Sequence, residues 1–327
     1  MLNPASEHEA LGILKQYLTV YKRTNYGKLS LLGGIILLGF LGNIVGFFTP
    51  SESHIAVIQI SGEIGADSDV GDGQKIATHL LDAMTNDESS LIVIEANSPG
   101  GSPTDSQTIN ELIVQYKQSN GPIDPEVAKN ILSVIKDPTT PFNENFESDI
   151  DVKTQPRKLI VAVVTKQCAS ACIQSIINAD VIIGQRASLI GNIGVRLSSI
   201  NWSELAKKVG VTSTVITSGP YKDMLSPWKA IDEEQILIAK ETLIEPVFEQ
   251  FKSDVIAARA DKLKINYDVL FSGLAWTGDD AVKTGLIDAT SNPVIVKSAL
   301  EKIIGDDYKI YSKSSFSLGS FIKNPFK

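Results

Sequence analysis

The sequence predicts an α/β domain built on a mostly parallel sheet flanked by helices, preceded by one transmembrane helix. Three observations predict it. Short runs that are apolar throughout (HIAVIQISG, SLIVIEA, RKLIVAVVT, DVIIG) read as strands buried on both faces. Stretches with helical spacing of apolar residues alternate with these runs, which implies parallel pairing. One segment, residues 29–48, carries no charge and is long enough to cross a bilayer as a helix.

Residues 1–28 form a short lead in which LGILKQYL is helix-like. In the span that follows, Gly33, Gly34, Gly39, Gly42 and Gly46 suit a membrane helix better than a soluble one. A cleaved signal peptide has a shorter apolar region nearer the N-terminus and a small-x-small site after it, so the span reads as an uncleaved anchor. Lys15, Lys22, Arg23 and Lys28 precede it, and Lys75 is the first lysine or arginine after it. The positive-inside rule then keeps residues 1–28 in the cytoplasm and places the large domain outside, in the periplasm of a cell with two membranes.

A brief linker, 49–54, leads into a domain over residues 55–305. Its first strand is followed by the helix GQKIATHLLDAMTN, with Ile76, Leu80, Leu81 and Met84 on one side. The strand SLIVIEA runs into the turn NSPGGS and the helix TDSQTINELIVQYKQ. Residues 119–157 break the rhythm: rich in Pro, Asp, Asn and Lys, with one helical piece near PEVAKNILSVI, they read as a peripheral insertion with little core-forming period. The alternation resumes with RKLIVAVVT, the helix CASACIQSIINA and the strand DVIIG. SLIGNIGV is a turn or short strand, NWSELAKKVG a helix, TSTVIT a strand, and residues 232–260 one long helical stretch. A last helix lies near PVIVKSALEKII, and residues 306–327 read as a polar tail.

Composition excludes several function classes. The net charge of -8 disfavours a nucleic-acid partner. Two cysteines make no disulfide framework and no zinc spacing. His8, His54 and His79 are scattered, with no HExxH motif and no spacing for shared ligation, so neither a metal nor an organic cofactor is expected.

Three strand ends combine glycine or small residues with a polar group, and sites in such sheets gather beyond the carboxyl ends of the strands. In Asn97-Ser98-Pro99-Gly100-Gly101-Ser102, the glycines let backbone N–H groups point into a cleft, as an oxyanion hole requires, although an ordinary βα turn would look the same. In Cys168-Ala169-Ser170-Ala171-Cys172, Ser170 falls at a strand-to-helix junction, where the helix dipole favours negative charge; the plain alternative is an N-cap serine. A helix running through both cysteines would put them on one side and Ser170 roughly opposite, so packing is the better account of the thiols. A local disulfide and a cysteine nucleophile are the alternatives. In Gly219-Pro220-Tyr221-Lys222-Asp223-Met224, Lys222 taken alone is a solvated charge, yet a serine needs a base and the histidines are poorly placed.

Taken together, these segments resemble the signal peptide peptidase SppA family in its shorter single-lobed form, whose fold is related to ClpP and the crotonases. The landmarks are VIQISGEI, NSPGGS, Val161 through Ser170 and Ala179-Asp180, SLIGNIGV, SGPYKDMLSP with the acidic DEEQ, and WTGDDAVKTGLID. The resemblance implies Ser170 as nucleophile, Lys222 as base, and an oxyanion hole from the backbone N–H of Gly100 or Gly101 and of Ala171. It also implies a membrane-bound protein that assembles with copies of itself. Two departures stand out: Ala171 and Cys172 replace the glycines usual after the nucleophile, and Asn192 stands where a serine often orients the lysine, a role its amide oxygen can also fill.

The expected activity is therefore cleavage of hydrophobic peptides, such as released signal peptides, by a serine endopeptidase held to the bilayer through residues 29–48. The alternative is a catalytically weak membrane scaffold that binds peptides or partner proteins; acyl-CoA chemistry fits poorly with an anchored, extracytoplasmic domain.

Overall fold

The computed structural model describes residues 52–312 apart from 138, 145 and 147, together with residues 12, 15, 16, 19 and 22. Eight strands form one sheet: β1 (His54–Ser61), β2 (Ser89–Ser98), β3 (Ile160–Ala169), β4 (Val181–Gly184), β5 (Leu189–Gly191), β6 (Ala275–Thr277), β7 (Ala289–Thr290) and β8 (Asp307–Ile310). The α-helices are α1 (Gly73–Thr85), α2 (Pro103–Asn120), α3 (Pro125–Lys136), α4 (Ala171–Ile176), α5 (Ser203–Lys208), α6 (Glu233–Ala239), α7 (Glu245–Arg259), α8 (Tyr267–Leu270), α9 (Gly278–Thr284) and α10 (Pro293–Ile304). The strand order is β6-β5-β3-β2-β1-β8, with β4 joining β3 to β7; every pair is parallel except β5 with β6.

Strand alternation assigns each side chain to one of two cores. Ala56, Ile58, Ile60, Ile92, Ile94, Ile160 and Ala162 serve one face, together with Ile76 and Leu80 of α1, Ile109 and Ile113 of α2, and Phe251 and Val255 of α7. Ile55, Val57, Leu91, Val93, Val161 and Val163 serve the other, with Val296, Ala299 and Leu300 of α10. Both faces are buried, which is why these strands are apolar throughout rather than alternating.

Among its described residues the segment 119–157 supplies no strand, but its expected peripheral character is corrected. Asp124 caps α3 by accepting the Glu126 N–H at 2.9 Å. Val127, Ile131 and Ile135 recur every four residues and are buried in the second core, joined by Ile123 and Val152. The polar residues around them face water, so a low apolar density conceals a complete helical stripe. Ile131→Ala is therefore expected to destabilise the domain by about 2–5 kcal/mol, since it empties a fully enclosed site. The urea midpoint of the variant measures this; a value equal to wild type would return the segment to the periphery.

Three other expectations shift. TSTVIT forms no strand: residues 212–217 are exposed and pair with no strand among the described residues. A strand exists only where a neighbour shares its hydrogen bonds. The long helix over 232–260 is divided into α6, a π-helical turn at Lys240–Ile244 and α7, with Pro246 at the start of α7. Proline has no N–H to donate and its ring crowds the preceding turn. The first part of the expected tail joins the sheet as β8, parallel to β1 with His54 opposite Asp307.

The GLID end of the last landmark proves structural. Asp288 accepts from Arg259 at 3.0 Å, from Lys262 at 3.0 Å and from the Ile182 N–H at 2.8 Å, tying α7 to β4. Burial alone would raise this carboxyl, but the two cations and the Ile182 N–H hold it below the usual carboxylate range. The expected membrane span at 29–48 lies outside the described residues, as does the tail beyond 312. Among the described residues no helix is long and apolar enough to cross a membrane.

Candidate active site

Ser170 sits between the end of β3 and the start of α4 with φ 53° and ψ -123°. A non-glycine residue at positive φ costs on the order of 1–3 kcal/mol and persists only where its surroundings fix it. The anchors are visible: the Ser170 N–H donates to the Gly191 carbonyl at 2.8 Å, and its own carbonyl accepts from the Ile173 N–H at 2.8 Å. Among the described residues its hydroxyl hydrogen-bonds only to the Gly194 carbonyl, at a long 3.4 Å. The side chain is thus held at the strand end without being committed to a strong partner.

The NSPGGS turn presses directly on this junction. A Cβ on Gly100 would lie 2.9 Å from the Ser170 Cβ and 2.9 Å from the Ala169 carbonyl oxygen. A Cβ on Gly101 would lie 2.0 Å from the Ile64 carbonyl, because Gly101 forms a β-bridge with Ile64. Both glycines are therefore required by close backbone approach. The Gly100 N–H is given to Ser98 Oγ at 3.1 Å. The N–H groups of Gly101 and Ala171 take no protein acceptor among the described residues. Of the three expected oxyanion donors, these two are the ones available. Ala171 is free because it opens α4, where the first amides of a helix have no intrahelical partner.

A cleft of about 900 Å³ opens over Ser170, Gly100, Gly101, Ala171 and Asn192. Phe248, Phe251 and Phe271 line it together with Ile244, Val195 and Val247, while Glu63, Arg196 and Glu245 supply the charges. Its lining is thus mixed, with three phenylalanines that can receive uncharged side chains set among charged and polar groups.

Asn192 reaches the cleft but is bound elsewhere. It adopts φ 52°, and its side-chain N–H donates to the Gly273 carbonyl at 2.7 Å. Lys222 is not brought to the site within this chain. It lies on an exposed turn, its N–H bonded to the Gly219 carbonyl at 3.2 Å, and it neither lines the cleft nor contacts Ser170 or Asn192. The surrounding stretch is rich in exposed apolar side chains, including Ile200, Trp202, Val209, Ile231 and Ile216, the last 96% exposed.

One feature was not anticipated, and one preferred expectation gives way to its alternative. Gln174, in α4 and lining the cleft, accepts from Ser106 at 2.7 Å and donates to Asp254 at 2.7 Å, joining α2, α4 and α7. Burial pushes the Asp254 carboxyl up, opposed by the Gln174 hydrogen bond. The second is a correction: Cys168 and Cys172 form a disulfide rather than packing as free thiols. The helix begins at Ala171, so Cys168 still belongs to β3, and the expectation of one helix face through both cysteines fails.

Sheet, strand-end serine, free N–H donors and a phenylalanine-lined cleft together give the geometry of a nucleophile and oxyanion pocket on an α/β scaffold. Residues 153–304 match the model of peptidase family S49. Over that stretch the chain is similar to the family, in agreement with its SppA-like landmarks. An inferred protease of Methanocaldococcus jannaschii is 28% identical over 303 residues, covering 84% of this chain and 83% of that protein. An inferred signal peptide peptidase SppA of Enterococcus faecium is 32% identical over 111 residues, 34% of this chain and 31% of that protein. A Na(+)/H(+) antiporter NhaA of Brucella abortus is 30% identical over 231 residues, a match that covers 71% of this chain and only 26% of the antiporter.

Proposed function

We propose that this protein is a membrane-anchored serine endopeptidase that cleaves hydrophobic peptides, released signal peptides among them. The observation that carries the reading is Ser170, held at positive φ over a cleft partly lined by phenylalanines, with two free N–H donors beside it. In the proposed reaction the Lys222 amine takes the hydroxyl proton while Ser170 Oγ bonds to the scissile carbonyl carbon. The Gly101 and Ala171 N–H groups receive the oxyanion. Collapse expels the new amine terminus with that proton and leaves an acyl-enzyme, which water hydrolyses to regenerate the hydroxyl.

Lys222 must then travel to Ser170. Either the exposed stretch that carries it folds over the cleft, or the stretch packs against a second copy and places the lysine in that copy's site. Its exposed apolar side chains support assembly, because a surface of that kind is covered in the working protein. Anchoring through residues 29–48, with the N-terminus cytoplasmic and the domain extracytoplasmic, rests on the charge asymmetry around that segment. The separation of Lys222 from Ser170 also motivates a second reading, a catalytically weak scaffold that binds peptides.

Quenched-fluorescent peptides distinguish the readings. A peptide with aliphatic or aromatic residues around the cleaved bond is expected to be hydrolysed with a kcat/KM at least about tenfold above its acidic counterpart, given about 1–3 kcal/mol for filling an apolar pocket. Equal turnover of the two would remove the proposed specificity, and turnover of neither would favour the scaffold.

A further inference from the structure

The proposed chemistry makes no use of the Cys168–Cys172 disulfide, although Ser170 lies inside the ring that it closes. The bond joins the end of β3 to the first turn of α4, with Cα atoms 5.1 Å apart, and both residues are completely buried. Ala169 and Ala171 flank the serine and carry too little side chain to wedge the turn in place. Helix α4, only Ala171–Ile176, is too short to hold its own start rigid.

A cross-link spanning four residues closes a very small loop, so it removes little freedom from the unfolded chain compared with one joining distant segments. Its effect is therefore local. Breaking a disulfide takes two sulfurs from a bonded distance of about 2 Å to non-bonded contact at about 3.5–4 Å. In a close-packed interior that increase displaces the elements carrying the sulfurs. Here those elements are β3 and α4, and between them lie the Ser170 hydroxyl and the Ala171 N–H.

We propose that the Cys168–Cys172 disulfide positions Ser170 and acts as a thiol-redox switch on the site, an inference that rests on Ser170 being the nucleophile. A dithiol reductant transfers two electrons and two protons to the bond, leaving two cysteine thiols and an oxidised, cyclised reductant; an oxidant of the diamide class reverses the change. Because both sulfurs are buried, exchange proceeds through transient opening of the α4 turn. Persistence of the bond matches an oxidising compartment, the side of the membrane on which the domain is proposed to stand.

The test compares full-length protein in detergent as oxidised, dithiothreitol-reduced and diamide-reoxidised samples, with thiol state read by alkylation and intact mass. The rate of fluorophosphonate labelling is expected to fall at least about tenfold on reduction, since a misplacement of about 1 Å at a reacting group costs on the order of 100-fold. Circular dichroism stays unchanged, peptide kcat falls more than KM changes, and reoxidation restores the rate. A Cys168→Ser/Cys172→Ser variant is expected to label slowly and to ignore dithiothreitol; if that variant fails to fold, the reduced native protein still decides. Equal labelling of verified oxidised and reduced protein would overturn the inference alone. No labelling in either state would overturn the Ser170 reading and this inference with it.

Discussion

Ser170→Ala is expected to lower peptide hydrolysis by roughly 10⁴-fold or more, because it removes the atom that forms the acyl bond. Stability should scarcely change. The substitution deletes one hydroxyl that makes a single long hydrogen bond among the described residues, 3.4 Å to the Gly194 carbonyl, and alanine inherits the same backbone. Ser170→Gly separates function from strain. Glycine adopts φ 53° without steric cost, at the expense of a more flexible unfolded chain, so this variant should be inactive yet at least as stable as Ser170→Ala. Thermal unfolding of the purified variants beside a peptide assay reads both quantities. A Ser170→Ala protein that turns over peptide at the wild-type rate would end the assignment.

The second large effect is expected at Lys222. A general base must shed its proton to accept another, and a guanidinium does not do so near neutral pH. Lys222→Arg should therefore be nearly as inactive as Lys222→Ala, although it preserves charge and length. Because Lys222 stands on an exposed turn away from Ser170, neither change should alter folding. Co-expressing Ser170→Ala with Lys222→Ala asks how the lysine arrives. If a second copy supplies it, mixed assemblies contain intact pairs of Ser170 and Lys222 and recover part of the activity. If the segment folds over its own cleft, no intact pair forms and the mixture stays inactive. An active Lys222→Arg enzyme would eliminate the base role on either route.

Legibility in the sequence followed the range of the interactions concerned. The central strands could be read because burial on both faces leaves continuous apolar runs such as IAVIQI and LIVIEA. Ser170 and the two glycines could be placed because a strand-end turn is a local matter, decided within a few residues. TSTVIT misled because a strand depends on a partner that its own composition cannot supply. Helix α3 was undervalued because three residues, Val127, Ile131 and Ile135, carry its whole buried face among prolines and charges. The disulfide ranked below packed thiols because the position of the helix start, one residue after Ser170, decides whether the two sulfurs face each other. The place of Lys222 could not be read at all, since it depends on how an exposed segment is finally covered.

The most direct test of the account is the site of covalent modification by a fluorophosphonate on the folded, oxidised, full-length protein. After digestion, the account predicts one adduct, on the peptide that contains Ser170, and none in Ser170→Ala. An adduct confined to another serine, or no adduct in a preparation that hydrolyses peptide, would contradict it.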